Sequence, residues 1–334
     1  MKKKLIVFTH GGGRLANQMT NHAHLIAFHK EYSKSFDVIN IAFGPYSQLF
    51  QEMQSTKIPR IPSGSTRLKL LILIVGLIVK PREYKISFFN QVLRLIHLLF
   101  EALWFSQSIK IGAATSYLNF LPGRLLDKFD LNSLESISIL EEKKITALAG
   151  WPIRSWFLFR KYESVIRSSF SIRKDYMKNA RIFIDSIRKE YDLLIGVLLR
   201  QDDYRSWANG KYFFSTEEYV YFMKQTLEIF PNKKIGFVIA SDERQEVKKF
   251  EGINIHFTTG SALGPAHFIE SFAELSLCDY VMTPPSTFGV WAAFIGNVPI
   301  IPVYNKRQKI KSTDLLKNHL LDCLEHPHMS MSVS

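Results

Sequence analysis

The sequence predicts an α/β protein built on parallel sheets. Two observations carry that expectation. From residue 193 onward, apolar runs of strand length, Leu193–Leu199 the clearest, alternate with stretches of helical periodicity. That first run is apolar throughout instead of alternating with polar residues, the pattern of a strand buried on both faces. A third observation sets the scale: 334 residues at 46% hydrophobic content suffice for two domains with full-sized cores.

Taken in order, residues 5–9 read as a first strand; the basic start and short apolar run make a poor signal peptide. The loop His10-Gly11-Gly12-Gly13-Arg14-Leu15-Ala16-Asn17-Gln18 leads into a helix over 19–32. Such a turn lets backbone N–H groups approach a phosphate or sugar closely. It is not GxGxxG in register, and no acidic residue closes a second strand at the dinucleotide distance, so it also reads as simply a tight turn. Residues 37–43 are the second strand.

Two apolar stretches follow, 70–79 and 86–105. The first is too short to span a bilayer, and Arg94, His97 and Glu101 interrupt the second. Between Lys57 and Arg94, eight cations (Lys57, Arg60, Arg67, Lys69, Lys80, Arg82, Lys85, Arg94) stand against one acid, Glu83. Two readings fit: an interfacial, membrane-lying helix, or buried core helices with a basic exposed face. Residues 145–149 form a strand. After it, Arg154 with Trp151 and Trp156 either lines a cleft or, as tryptophan usually does, fills core. A helix over 175–191 is expected to link the halves.

The second half is regular. Strands are expected at 193–199, 234–240, 254–258, 279–283 and 298–303, with helices at 217–229, 243–250, 266–277 and from 287 to about 295. A last helix over roughly 313–324 precedes a polar tail. The chain therefore divides into a Rossmann-like domain over 1–188 with a basic apolar insert at about 57–105, a second Rossmann-like domain over 189–305, and a C-terminal segment over 306–334.

In such sheets ligands bind beyond the carboxyl ends of the strands. Leu193–Leu199 runs out into Arg200, Gln201, Asp202, Asp203 and Tyr204. A guanidinium suits a phosphate, and paired carboxylates suit acid/base chemistry, although a solvated turn would carry the same charges. Asp242 follows the next strand. Ser286 and Thr287 open a helix after the fourth, where N–H groups and hydroxyls can hold phosphate oxygens or merely cap the helix. Three polar strand ends on one sheet edge point to a site.

Lys+Arg number 43 against 30 Asp+Glu, a net charge of +13, which favours anionic partners: acidic lipid, phosphorylated substrates or nucleic acid. No nucleic-acid motif or basic recognition helix accompanies the charge, so nucleic acid is not the expected partner. The two cysteines, Cys278 and Cys323, form neither a disulfide framework nor a metal pattern, which fits a reduced, cytoplasmic setting.

At these residues the chain resembles the fucosyltransferase superfamily, including bacterial α1,2-fucosyltransferases and nodulation fucosyltransferases. The family's G-R-L-G-N-Q-M is met by Gly13-Arg14-Leu15-Ala16-Asn17-Gln18-Met19, and its H-x-R-R-G-D-Y by Leu198-Leu199-Arg200-Gln201-Asp202-Asp203-Tyr204. Its S-D-D is similar to Ser241-Asp242-Glu243. L-M-S-x-C and N-S-T-F-S-W-W-A-A correspond to Leu275-Ser276-Leu277-Cys278 and Pro285-Ser286-Thr287-Phe288-Gly289-Val290-Trp291-Ala292-Ala293. Residues 50–140 carry no matching motif.

The resemblance implies a GT-B-like enzyme, two Rossmann-like domains facing across a cleft. It implies inversion at the anomeric centre with no obligatory metal or cofactor, and GDP-fucose as donor. On that analogy Arg200 pairs with the donor pyrophosphate, while Asp242, Ser286, Thr287 and Phe288 complete the donor site. Arg14, Asn17 and Gln18 approach the sugar or acceptor. Asp203 is the first candidate for general base and Asp202 the second. The implied acceptor is a hydroxyl of surface polysaccharide or glycolipid, reached at the inner face of the membrane with peripheral contact to anionic lipid. The departures are Leu198 for His, Gln201 for Arg, Asp202 for Gly, Pro285 for Asn and Val290 for Trp. One cation fewer and one anion more beside a pyrophosphate predict weaker binding. That leaves open another nucleotide sugar, or a relative that binds glycan or nucleotide without turnover.

Overall fold

The computed structural model describes residues 3–51, 86–112, 121–151, 153–261 and 266–313. The apolar run 70–79, the basic residues from 57 to 85 and the helix expected beyond 313 lie outside the described residues. The chain forms two compact units, Met1–Ser171 and Ile172–Ser334.

The first unit opens with strand β1 (Lys4–His10), helix α1 (Leu15–Tyr32) and strand β2 (Phe36–Asn40). Helix α2 (Ile86–Ala102) leads to β3 (Ser106–Ile111) and the short strands β4 (Arg124–Leu126) and β5 (Phe129–Asp130). Helix α3 (Leu134–Glu142), β6 (Ile145–Gly150), β7 (Ile153–Arg154), α4 (Trp156–Lys161) and α5 (Glu163–Ser169) complete it. Five strands pair in the order β2-β1-β6-β3-β4, every pairing parallel, and β5 pairs with β7. β1 is buried from Leu5 to Phe8, as an unbroken apolar run in a parallel sheet must be.

Helix α2 is the described part of the apolar insert, and its inner face matches the core-helix reading. Leu93, Ile96 and Phe100 pack on Leu5, Val7, Ile39, Ala147 and Ala149. His97 lies among them, its Nε2 2.7 Å from Thr9 Oγ1 and its Nδ1 against the Ser108 hydroxyl. Burial lowers its pKa to about 4, so the residue that looked like a break in the apolar run is a neutral core histidine. The outer face differs: Leu95, Leu98 and Leu99 are exposed, as are Leu103 and Trp104 just beyond the helix. Among the described residues no helix is long and apolar enough to cross a membrane.

The second unit contains α6 (Lys174–Arg188), β8 (Leu193–Leu199), α7 (Thr216–Ile229), β9 (Ile235–Ser241), β10 (Ile255–Phe257), α8 (Phe268–Ser276), β11 (Tyr280–Thr283), α9 (Thr287–Gly296) and β12 (Ile300–Pro302). Its sheet is wholly parallel in the order β10-β9-β8-β11-β12. A capping box, Ser215 with Glu218, starts α7.

Two expectations change. The helix over 174–188 belongs with the second unit, so the boundary falls at 171/172 and not 188/189. Ile184 and Ile187 of α6 pack on Leu194, Val238 and Cys278, and Arg188 pairs with Asp279 at 2.9 Å. Instead of a helix over 243–250, only a short 3-10 turn forms, Val247–Phe250. The Ser241 hydroxyl donates to the Glu243 carbonyl at 2.7 Å and accepts from its N–H at 3.2 Å, a local turn that competes with helix initiation.

Candidate active site

Sheet order in the second unit places β9, β8 and β11 side by side, and the chain turns opposite ways from β8 and from β11. The gap between those two strand ends is the switch point, where a crevice opens in this class of sheet. Arg200 leaves the end of β8, Asp242 the end of β9, and Ser286 stands three residues past β11. The strands predicted from apolar runs therefore bring the predicted polar ends to one edge.

The side chains interlock. Arg200, 18% exposed, holds Asp203 Oδ1 at 2.9 Å through Nη2 and lies 3.1 Å from Asp242 Oδ2 through Nη1. The second contact is an ion pair without hydrogen-bond alignment. Asp242 Oδ1 accepts from the Gln201 N–H at 2.9 Å. Burial raises the Asp242 pKa, opposed by that N–H and by Arg200. Tyr204 ties the two loops together: its hydroxyl donates to the Pro285 carbonyl at 2.7 Å and reaches the Ser286 side chain. The Arg200 guanidinium carbon lies 5.6 Å from the Tyr204 ring centroid. Burial pushes the Tyr204 phenol up to about 12, so it stays a hydrogen-bond donor. Behind it, Trp207 packs at a tilt between Tyr204 and Tyr212, with centroids 4.8 and 5.4 Å away.

Ser286 is the N-cap of α9 but makes no side-chain cap bond, so its buried hydroxyl does not serve the helix's first N–H groups. Those groups and the positive end of the helix dipole suit an anion. Gly289 lets the first turn of α9 press on β11: a Cβ there would stand 2.3 Å from Thr283 Oγ1. Thr287 is half-buried beside Ser286, and the Phe288 ring packs edge-on against Phe272 of α8 at 5.2 Å.

Asp202 and Asp203 are exposed, and with Asp242 they offer carboxylate oxygens within 4.8 Å of one another. A divalent cation could use such a set, but Arg200 already lies against two of its members. Gln201, which replaces a family arginine, is turned into the core. Its amide donates to the Phe214 carbonyl at 3.0 Å and its Oε1 accepts from Gln245 at 2.8 Å.

The other predicted residues lie in the first unit. Arg14 is the exposed N-cap of α1. Asn17 packs over Gly13, whose φ of +72° needs glycine. Gln18 is 5% exposed and its amide donates back to the Gly12 carbonyl, bracing the loop from inside.

Sequence reasoning did not single out Gln245, Glu270 or Glu274. Gln245 Oε1 accepts from Thr216 Oγ1 at 2.8 Å, linking α7 to the loop after β9. Glu274, fully buried on α8, accepts from the Thr259 N–H at 2.9 Å, and burial beside Glu270 raises its pKa to about 7. The only sequence signal for it is a carboxylate on the apolar face of an amphipathic helix.

No curated protein sequence matches the chain. Among solved structures, an Arg-to-Lys variant of Arabidopsis thaliana FUT1 in complex with GDP superposes with a TM-score of 0.54 at 11% identity, covering 94% of this chain and 73% of that one. POFUT1 in complex with GDP gives 0.44 at 11%, over 88% and 94%. Escherichia coli ADP-heptose lipopolysaccharide heptosyltransferase II gives 0.42 at 10%, over 93% and 88%. At such identities the likeness concerns the fold, a GT-B architecture of two Rossmann-like units. The profile of glycosyl transferase family 11 matches residues 134–315, more than half the sequence and all the strand ends described in the second unit. The protein is a glycosyltransferase, and the chain belongs to glycosyl transferase family 11.

Proposed function

We propose that the protein is an inverting fucosyltransferase that moves fucose from GDP-fucose to a glycan hydroxyl of a surface polysaccharide or glycolipid. The observation that carries this reading is the junction at the β8/β11 switch point, where Arg200 and the Ser286 helix tip are joined through Tyr204. A guanidinium and an uncapped helix start on one sheet edge make a site for a diphosphate. The family match and the fold shared with a plant FUT1 in a GDP complex support GDP as its carrier.

In this reading the donor diphosphate takes the place of Asp203 on Arg200. The guanidinium then offsets the charge that develops on GDP as the glycosidic bond breaks. Asp203, released, is the first candidate to take the proton of the acceptor hydroxyl, and Asp202 the second. Asp242 stays behind to orient Arg200, while Thr287 and Phe288 complete the donor side. Arg200 supplies the positive charge that a metal would bring, so transfer persists in EDTA. The test is donor turnover, followed as GDP release, for wild type and Arg200→Ala. Near-normal turnover by the variant removes Arg200 from the mechanism.

A second reading, a relative that binds without turnover, is favoured by one observation: Gln201, standing where the family motif has an arginine, is committed to the core and brings no cation to the site. Calorimetry with GDP and GDP-fucose, followed by a hydrolysis assay, separates the two, because binding without turnover supports the second. A panel of nucleotide sugars scored by thermal stabilisation identifies the donor.

The reading includes a cytoplasmic setting at the membrane surface. What supports it is the outer stripe of α2 with the turn that follows it, where Leu95, Leu98 and Leu99, then Leu103 and Trp104, are exposed, Trp104 at 78%. Lys143 Nζ donates to the Trp104 carbonyl at 3.0 Å and Lys144 lies 5.6 Å from its ring. Apolar side chains rimmed by cations suit an anionic interface. Co-sedimentation with phosphatidylglycerol vesicles that survives Leu98→Ser with Trp104→Ser unchanged would exclude this face.

A further inference from the structure

In the first unit the carboxyl ends of β1 and β6 are adjacent, His10 beside Ala149. Arg154, just beyond β6, is held there by two acceptors: Nη1 donates to Asn21 Oδ1 at 2.7 Å and to the Ile153 carbonyl at 2.8 Å. Its guanidinium carbon lies 3.7 Å from the Trp151 ring centroid. Nη2 is buried without a hydrogen-bond partner, and among the described residues no carboxylate pairs with this cation. Burial lowers its pKa to about 9.

Two neighbours of Arg154 on α1 also lack partners among the described residues: Asn21 Nδ2, a donor, and His24 Nε2 are buried without a hydrogen bond. Asn21 and His24 are fully buried. His24 stays neutral and adds no second positive charge, since its pKa is held well below the usual histidine range by burial and by Arg154. A guanidinium nitrogen buried with neither counter-ion nor acceptor is a costly arrangement for a fold to hold, and the unpaired Asn21 amide donor beside it sharpens the point. Ligands of open α/β sheets bind beyond the carboxyl ends of the strands, and perturbed charges cluster at such sites.

We propose that Arg154, with Asn21 and the Trp151 ring, forms an oxyanion subsite in the first unit, taking a substrate carboxylate or phosphate between Arg154 Nη2 and Asn21 Nδ2. Assigning that anion to substrate rests on the glycosyltransfer reading. An acidic sugar of the acceptor and the donor diphosphate share this chemistry, and the test separates them.

Full-length wild type, Arg154→Gln and Asn21→Asp are melted alone and with glucuronate, glucose, inorganic phosphate or GDP. Wild type is stabilised by glucuronate if the source is the acceptor, or by phosphate and GDP if it is the donor. Glucose has no effect, and Arg154→Gln loses the response, at least about tenfold in apparent affinity. Asn21→Asp supplies the missing carboxylate within the protein. It therefore raises the unliganded melting temperature while abolishing the oxyanion response, an outcome that does not depend on Arg154→Gln folding. An equal response in Arg154→Gln overturns the proposal. So does no oxyanion response together with an Asn21→Asp melt below wild type, which would mean that these atoms hold only water. Arg200→Ala is the control: a glucuronate response that persists when GDP binding is lost separates this subsite from the donor site. GDP binding absent from wild type beside an intact glucuronate response sinks the fucosyltransferase reading alone.

Discussion

Arg200 is the residue on which the donor chemistry turns, and its geometry says how it should fail. Its two pairs, with Asp203 and Asp242, use both ends of the guanidinium fork. Lysine cannot reproduce that fork, so Arg200→Lys should bind donor weakly and Arg200→Ala should lower kcat/KM about 10²–10³-fold with unchanged circular dichroism. Tyr204→Phe deletes the bond to the Pro285 carbonyl, a loss of about 1 kcal/mol in chemical unfolding, and should weaken GDP binding alongside. Glu274 tests the buried electrostatics. Its pKa is raised from 4.5 to about 7, so the folded state keeps a proton that the unfolded chain releases. Its contribution to stability is full below pH 4.5 and is lost as pH rises to about 7. Glu274→Gln, always neutral, should flatten the dependence of melting temperature on pH across that window and be the more stable protein above it.

Among elements, α9 shows how packing positions chemistry. Its first turn can press on β11 only because residue 289 has no side chain. Gly289→Ala should displace the Ser286–Thr287 tip, costing about 1–3 kcal/mol in denaturant unfolding and raising the Kd for GDP by a larger factor than an equally destabilising change elsewhere. The strands on which this site hangs were legible because each is a short run buried on both faces. The helix expected over 243–250 does not form, because a serine turn overrides a weak propensity there. The first unit's β3 was also missed: its polar serines and lysine break the apolar run, and the buried hydroxyls of Ser106 and Ser108 find hydrogen-bond partners on the preceding helix α2, the Phe100 carbonyl and His97.

For the molecule as a whole, acid should act first on the unit Met1–Ser171. His22, His24 and His97 are all held neutral there by burial, His22 and His97 with pKa values of about 4. A lowered histidine pKa means that the unfolded chain takes up protons the folded one refuses. Stability is therefore full above pH 6.5 and falls as pH drops toward 4. Denaturant titrations across that range should show a shrinking midpoint, and His97→Gln should reduce its slope; a midpoint constant from pH 6.5 to 4 would contradict the buried, neutral assignment.

The sequence by itself determined the parallel α/β class, the order of the second unit's strands along the chain, and the polar residues at their ends. Apolar period and turn chemistry are local properties, so a single chain displays them. Only the tertiary structure decided which ends meet: strand order sets β8 beside β11, brings Tyr204 to Pro285, and turns Gln201 inward while Arg200 stays at the edge. It also decided that α6 packs with the second unit and that Arg154 Nη2 is buried with no carboxylate partner among the described residues. Burial and pairing depend on residues far apart in sequence, and no local pattern records them.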